Sequence, residues 1–262
     1  MYSINLNAVL PLRKEASETS EMVSQLLFGE CCEVLDAQDS FVYITNCTDG
    51  YSGWADTKML TEITADDYRS LQNAPPFMVH TPVAEVLSLS EQTVYRLPAG
   101  SRLPDYDPDT GIFGVGEKRF RAHQGLIDRL KRSGNTDGVA PLALQFLNVP
   151  YLWGGKTIMG IDCSGLVQLV FSLCGIFLPR DASQQARTGV PVIYEDACAG
   201  DLLFFEKNGK IVHVGIYMGD RQILHTSGKV KMSKVDKQGI LSDDESVYTH
   251  FLAGVRRTAN SE

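Results

Sequence analysis

The chain has 262 residues, 44% of them hydrophobic and 21% charged, with a formal net charge of −8. That is enough to bury a full core in one to three domains, and the negative balance argues against nucleic acid or an anionic wall polymer, both of which recruit basic surfaces. The expected partner is a small or neutral substrate, with no nucleic acid, and the expected state is a monomer. No run approaches the roughly 18 apolar residues of a membrane span, so no membrane partner is expected. Met1 to Leu12 lacks a basic region followed by an apolar stretch, so no secretory signal is read and a cytoplasmic location is expected. The cysteines at 31, 32, 47, 163, 174 and 198 are too sparse for a disulfide scaffold and include no Cys-x-x-Cys pair. Most are expected to be buried thiols, Cys31 and Cys32 among them.

Residues 1–62 read as short strands with turns. Asn5 to Leu12, Gln25 to Leu35, Phe41 to Asn46 and Trp54 to Leu60 are apolar or alternating, punctuated by Gly29, Asp39-Ser40 and Asp49-Gly50. The order Phe28-Gly29-Glu30, Phe41-Val42-Tyr43-Ile44 and Tyr51-Ser52-Gly53-Trp54 resembles a bacterial SH3-like domain. Residues 63–76 form a connector with a capped short helix ending at Ala74-Pro75-Pro76. Strands resume over 77–126, where Gly100 aligns with Gly29 in a weak internal echo, and a second SH3-like barrel without the Gly-Trp step is expected. Residues 127–137 are a second connector. The basic residues Lys118, Arg119, Arg121, Arg129, Lys131 and Arg132 read as a solvated or domain-docking face.

The third domain spans 138–262. Pro141 opens a helix that ends before Pro150. A Gly-rich loop then leads into Asp162-Cys163-Ser164, after which Leu166, Val167, Val170, Leu173 and Cys174 follow the stripe of an amphipathic helix. Cys163 therefore sits at or beside a helix N-terminus, where unpaired N–H groups and the helix dipole favour thiolate. Arg180 to Arg187 reads as a loop entering a short helix, and the remainder is β-rich. A helical half carrying the cysteine and a sheet half carrying histidines make the fold α+β.

A cysteine nucleophile needs a base, and the chain offers His80, His123, His213, His225 and His250. Alternation over Val212 to Met218 places His213, Gly215 and Tyr217 on one face, away from the apolar one. A hairpin centred on Gly219 sets His225 directly opposite His213, close enough for cross-strand contact. That supplies a Cys-His pair plus a group to orient the base. Zinc on Cys163, His213 and His225 is the competing use. His80, His123 and His250 show no partner pattern and read as structural or surface. The N–H of Cys163 could donate one oxyanion hydrogen bond, and the second donor cannot be read.

Several ordered motifs resemble the NlpC-type cell-wall peptidases, papain-like cysteine enzymes that cut peptidoglycan stem peptides. They are Tyr151-x-Trp153-Gly154-Gly155, Asp162-Cys163-Ser164-Gly165-Leu166, Leu178-Pro179-Arg180-Asp181, Gly200 to Phe205, His213 to Gly219 and Ile223-Leu224-His225. The resemblance implies a papain-like catalytic domain with Cys163 as nucleophile, His213 as general base and acid, His225 orienting His213, and no cofactor. Two preceding SH3-like domains are similar to the arrangement in that family's γ-D-glutamyl-L-diamino acid endopeptidases, the dipeptidyl-peptidase VI group. These cleave free stem peptides with an N-terminal L-Ala after D-Glu. The resemblance implies that the first SH3-like domain walls off the cleft and presents an acid to the substrate amine, with Glu30 and Tyr51 matching best. Asp162 and Ser164 would contact the dipeptide and Trp153 would form an apolar wall, with Arg180, Asp181 and Ser183 as further pocket candidates. A wall-peptide binding module with an inert third domain, and an amidase or acyl transferase on the same fold, are the alternatives.

Overall fold

The computed structural model describes residues 1–73, 77–123, 125, 127–129, 136 and 138–258. The expected Ala74-Pro75-Pro76 break, the basic residues Lys131 and Arg132, and Asp137 lie outside the described residues. The chain divides into two compact units, Met1–Leu130 and Lys131–Glu262.

The first unit is almost all β. Strands β1 (Tyr2–Asn5), β2 (Val9–Arg13), β3 (Met22–Leu27), β4 (Cys31–Gln38), β5 (Phe41–Asn46), β6 (Ser52–Asp56) and β7 (Leu60–Ile63) form one antiparallel sheet in the order β3-β2-β6-β5-β4-β1-β7. Alternation drives the local structure, since Leu10 and Leu12 are buried in β2 while Val9, Pro11 and Arg13 between them are half-exposed. Two expected runs are each broken in two. Asn5 accepts the Asn7 N–H at 2.9 Å in a turn between β1 and β2, and Phe28-Gly29-Glu30 turns the chain between β3 and β4. Helix α1 (Ala65–Asn73) follows, its start boxed by reciprocal hydrogen bonds between Thr64 and Asp67.

Strands β8 (Phe77–Val79), β9 (Val83–Ser88), β10 (Val94–Pro98), β11 (Arg102–Leu103), β12 (Ile112–Val115), β13 (Lys118–Ala122) and β14 (Ile127–Arg129) form two small sheets, ordered β10-β9-β13-β12 and β11-β8-β14. These do not enclose a core of their own. Phe28, Ile4, Cys31 and Ile63 join Val79, Val86, Leu97, Phe113 and Phe120 in a single cluster. The Phe28 ring stands edge-on to Phe113 and Phe120 at centroid distances of 5.9 and 5.1 Å, and Arg102 N–H donates to the Phe28 carbonyl at 2.8 Å. Gly29, at φ +78°, lies so close to the Arg102 carbonyl that a Cβ would collide with it. Strand alternation sends Cys31 into this shared cluster and its neighbour Cys32 into a second one with Leu10, Leu12, Leu26, Val42 and Ile44.

The second unit carries α2 (Val139–Leu144), the short ribbon of β15 (Lys156–Thr157) and β16 (Gly160–Ile161), α3 (Cys163–Leu173) and α4 (Ala182–Gln185). Strands β17 (Val190–Val192), β18 (Leu202–Lys207), β19 (Lys210–Gly219), β20 (Gln222–Ser227), β21 (Lys229–Lys234), β22 (Gly239–Leu241) and β23 (Tyr248–Arg257) follow. They make an antiparallel sheet ordered β17-β23-β18-β19-β20-β21, with β22 on β23. The expected α+β arrangement of a helix-borne cysteine against an antiparallel sheet is what the chain forms. Helix α3 is apolar nearly all round and packs on β19 and β20. Among the described residues, no helix is long and apolar enough to cross a membrane.

The shared cluster makes a stability prediction. In a Trp153→Phe background, Trp54 fluorescence reports the first unit during urea unfolding. Phe28→Ala, which empties a fully buried site, should cost that transition about 3–5 kcal/mol. Leu35→Ala, at a side chain 56% exposed, should stay within about 0.5 kcal/mol. A Phe28→Ala loss as small as the Leu35→Ala loss would refute the shared core.

Candidate active site

The position of Cys163 is set by its neighbour. Asp162 is the N-cap of α3, and its Oδ1 accepts the Gly165 N–H at 2.7 Å. Its Oδ2 accepts the Gly154 N–H at 2.8 Å, which draws in the Gly-rich loop. The guanidinium of Arg180 closes on the same carboxylate, Nη1 to Oδ1 at 3.0 Å and Nη2 to Oδ2 at 2.6 Å, and Nη1 also donates to Ser164 Oγ at 2.9 Å. Arg180 is 1% exposed and Asp162 6%. The loop is fixed at its far end by the Tyr151 N–H bond to the Gly228 carbonyl.

The structure thus gathers Asp162, Ser164 and Arg180 into one knot around the start of α3. Trp153 lies on the loop, 59% exposed, and Asp181 caps α4, on which Ser183 is exposed. Glu30 and Tyr51 belong to the first unit. Glu30 is buried, with Oε2 accepting the Leu27 N–H at 2.8 Å, and Tyr51 packs on the Leu10–Ile44 cluster.

His213 and His225 meet, but not in the expected register. The hairpin turns on Asp220 and Arg221, both at positive φ, and an irregularity follows Tyr217. His225 is therefore paired with Gly215, not with His213. The two imidazoles reach each other diagonally, His213 Nε2 to His225 Nδ1 at 2.9 Å. Gly215 allows this, because a Cβ there would stand 2.9 Å from the His225 Cβ and 2.7 Å from Ile223 Cδ1.

The face holding His213, set by alternation away from the apolar one, is itself apolar. It is a second core of Leu203, Phe205, Tyr217, Ile223, Val235, Ile240 and Val255. His250, read from sequence as structural or surface, joins the pair. Its ring lies 4.5 Å from that of His213 at 32°, and Thr249 Oγ1 is 2.9 Å from its Nδ1. Strand β23 supplies it from 37 residues beyond His213, and no local spacing signals that approach. Ser233, on β21, was likewise invisible in sequence; its Oγ lies 3.0 Å from His225 Nε2.

At the sulfur, burial works against the helix start. Burial and the Asp162 carboxylate push the Cys163 thiol up to about 11, outweighing the Val214 and Ser164 N–H groups and Arg180, which act in the opposite sense. Burial also depresses both histidines. His213 lies well below its usual 6.5, lowered further by His225 and His250, and His225 falls to about 3, with His250 and Lys231 adding to burial. Val214, whose N–H points at the sulfur, directly follows His213, and Nε2 of His213 faces His225 Nδ1. Among the described residues, no group of three or more His, Cys, Asp or Glu is arranged to hold a metal ion.

Residues 148–247 match the NlpC/P60 family, and residues 12–60 match the bacterial dipeptidyl-peptidase SH3 domain. A relative from Bacillus subtilis named gamma-D-glutamyl-L-lysine dipeptidyl-peptidase is 30% identical over 247 residues, 89% of this chain and 80% of that one. The chain belongs to the NlpC/P60 family. Another similar protein, named dipeptidyl-peptidase 6, from Lysinibacillus sphaericus, is 26% identical over 261 residues, 91% of this chain and 93% of that one. The crystal structure of an NlpC/P60 family protein from Bacillus cereus shares the fold at a TM-score of 0.84 and 21% identity, covering 99% of this chain and all of that one. As an NlpC/P60 member the chain is a cysteine peptidase, with an SH3-like domain ahead of its Cys/His unit.

Two predictions follow from the histidine geometry. Gly215→Ala should displace His225 and lower turnover about tenfold, roughly one hydrogen bond's worth, with the far-ultraviolet circular dichroism unchanged; full activity would show that His225 needs no such space. The depressed histidines bind fewer protons folded than unfolded between 6.5 and about 3. Their contribution is complete above 6.5 and is lost as pH falls through that window. The melting temperature should drop over the same range, and His225→Asn should flatten the slope. An equally steep slope in that variant would contradict the assignment.

Proposed function

We propose that this peptidase hydrolyses the γ-D-glutamyl–diamino acid bond of free peptidoglycan stem peptides that begin with L-Ala, releasing L-Ala-γ-D-Glu. The observation that carries the reading is the extent of the likeness to the relative named gamma-D-glutamyl-L-lysine dipeptidyl-peptidase. It spans 89% of the chain, and so includes the amino-terminal unit as well as the Cys/His unit. The net charge of −8 supports a small free peptide over an anionic polymer. Recycling of such peptides in the cytoplasm is part of the same proposal.

In this reading His213 Nδ1 takes the Cys163 proton as the sulfur attacks the carbonyl carbon of the γ-amide. The tetrahedral intermediate collapses as the His213 imidazolium gives its proton to the leaving amine of the diamino acid. That leaves L-Ala-γ-D-Glu as a thioester on Cys163. Water, deprotonated by His213, then attacks the thioester and returns the thiol. His225 accepts the Nε2–H of His213 throughout and stabilises the transient imidazolium.

A free tripeptide, L-Ala-γ-D-Glu-diamino acid, and its N-acylated twin test the proposal. Cleavage of the free peptide should be abolished in Cys163→Ala and should fall at least a hundredfold when the amine is acylated, since acylation removes the charge a free-amine pocket must pair. Turnover retained by Cys163→Ala would overturn the mechanism. Equal turnover of the acylated peptide would overturn the free-peptide specificity and leave the mechanism standing.

A further inference from the structure

We infer that Ser233 is a positioning residue for the peptidase reaction, fixing the tautomer of His225 and through it the direction of the hydrogen bond that orients His213. The inference rests on the reading of His213 as the base, proposed above.

Three side chains form a buried line. Ser233 Oγ lies 3.0 Å from His225 Nε2, and His225 Nδ1 lies 2.9 Å from His213 Nε2. Ser233, His225 and His213 are 8%, 1% and 6% exposed. Each neutral imidazole carries a single N–H, so the line has two polarities. In one, His213 Nε2–H donates to His225 Nδ1, and His225 Nε2–H donates to Ser233 Oγ. In the other, Ser233 donates to His225 Nε2, His225 Nδ1–H donates to His213 Nε2, and the single proton of His213 sits on Nδ1. Only the first leaves Nδ1 of His213 with a lone pair for the thiol proton.

The first polarity is also the only one that survives proton transfer. Once His213 is an imidazolium, both its nitrogens carry protons, and His225 Nδ1 must accept. Its own proton is then on Nε2, in a site where the acceptor in place is the Ser233 hydroxyl. A buried N–H without an acceptor is costly, so removing Ser233 Oγ disfavours the working tautomer. Among the described residues, His225 Nε2 has no hydrogen-bond partner besides Ser233 Oγ. Lys231, opposite it on β21, is a cation drawn to Asp243 at 2.8 Å, and the His250 ring stands 6.0 Å from that of His225, nearly perpendicular.

Histidine-selective 15N labelling of the full-length protein reads the tautomer directly, with the His225 signals identified by their loss in His225→Asn. In the native chain His225 should be protonated on Nε2. Ser233→Ala should shift it toward the Nδ1–H form and lower kcat about tenfold, with KM unchanged. Ser233→Thr, which keeps the hydroxyl, should restore both. A native His225 protonated on Nδ1 would overturn the inference before any variant is made. So would a Ser233→Ala protein in which the tautomer and the turnover do not move together, since loss of activity without a tautomer shift marks a merely structural serine. The nitrogen spectrum needs no substrate, so a native chain inactive on the tripeptide would sink the proposed substrate while the tautomer result still stood.

Discussion

One buried carboxylate sets the geometry of the Cys/His unit. Asp162 receives the first turn of α3, the N–H of the Gly-rich loop and both arms of Arg180, so three separate segments share one anchor. A buried ion pair of this kind adds little net stability, because desolvation offsets most of the attraction. Its contribution is position. Arg180's planar fork fits only one orientation of the carboxylate, and Cys163, the next residue, inherits that orientation. Gln185 extends the knot by donating to the Ser164 carbonyl and to that of Pro179, which ties α4 to the same helix start.

The anchor has an electrostatic cost at the sulfur. Burial, and with it a carboxylate one residue away, works against the helix N-terminus and raises the Cys163 thiol. The same burial lowers His213. The contact between His213 and His225 lies in surroundings where water cannot screen it.

Much of this was legible in the chain. The apolar stripe that announced α3 is local, and local signals survive folding. The pairing of His213 with His225 was anticipated from alternation and a hairpin, yet its register was misjudged by two, because Asp220 and Arg221 turn where Gly219 was taken as the centre. His250 and Ser233 were out of reach, as each arrives from another strand through sheet order, which no spacing in the sequence encodes. The opposing effect of burial on the thiol was out of reach for a related reason. The helix dipole can be read from a motif, whereas the burial that outweighs it belongs to the whole unit. The first unit shows the same limit, in that its strands were visible one by one but the sharing of their core was not.

That shared core bears on how such a protein can be taken apart and recombined. Phe28 and Gly29 sit in a turn of the first sheet, yet their partners, Phe113, Phe120 and Arg102, come from the strands that follow α1. A cut through the connector would strip an aromatic plug from one half and its socket from the other, leaving two apolar wounds where modular domains would leave clean edges. Grafting either half without the other would therefore require the opposite wall of the socket to change with it.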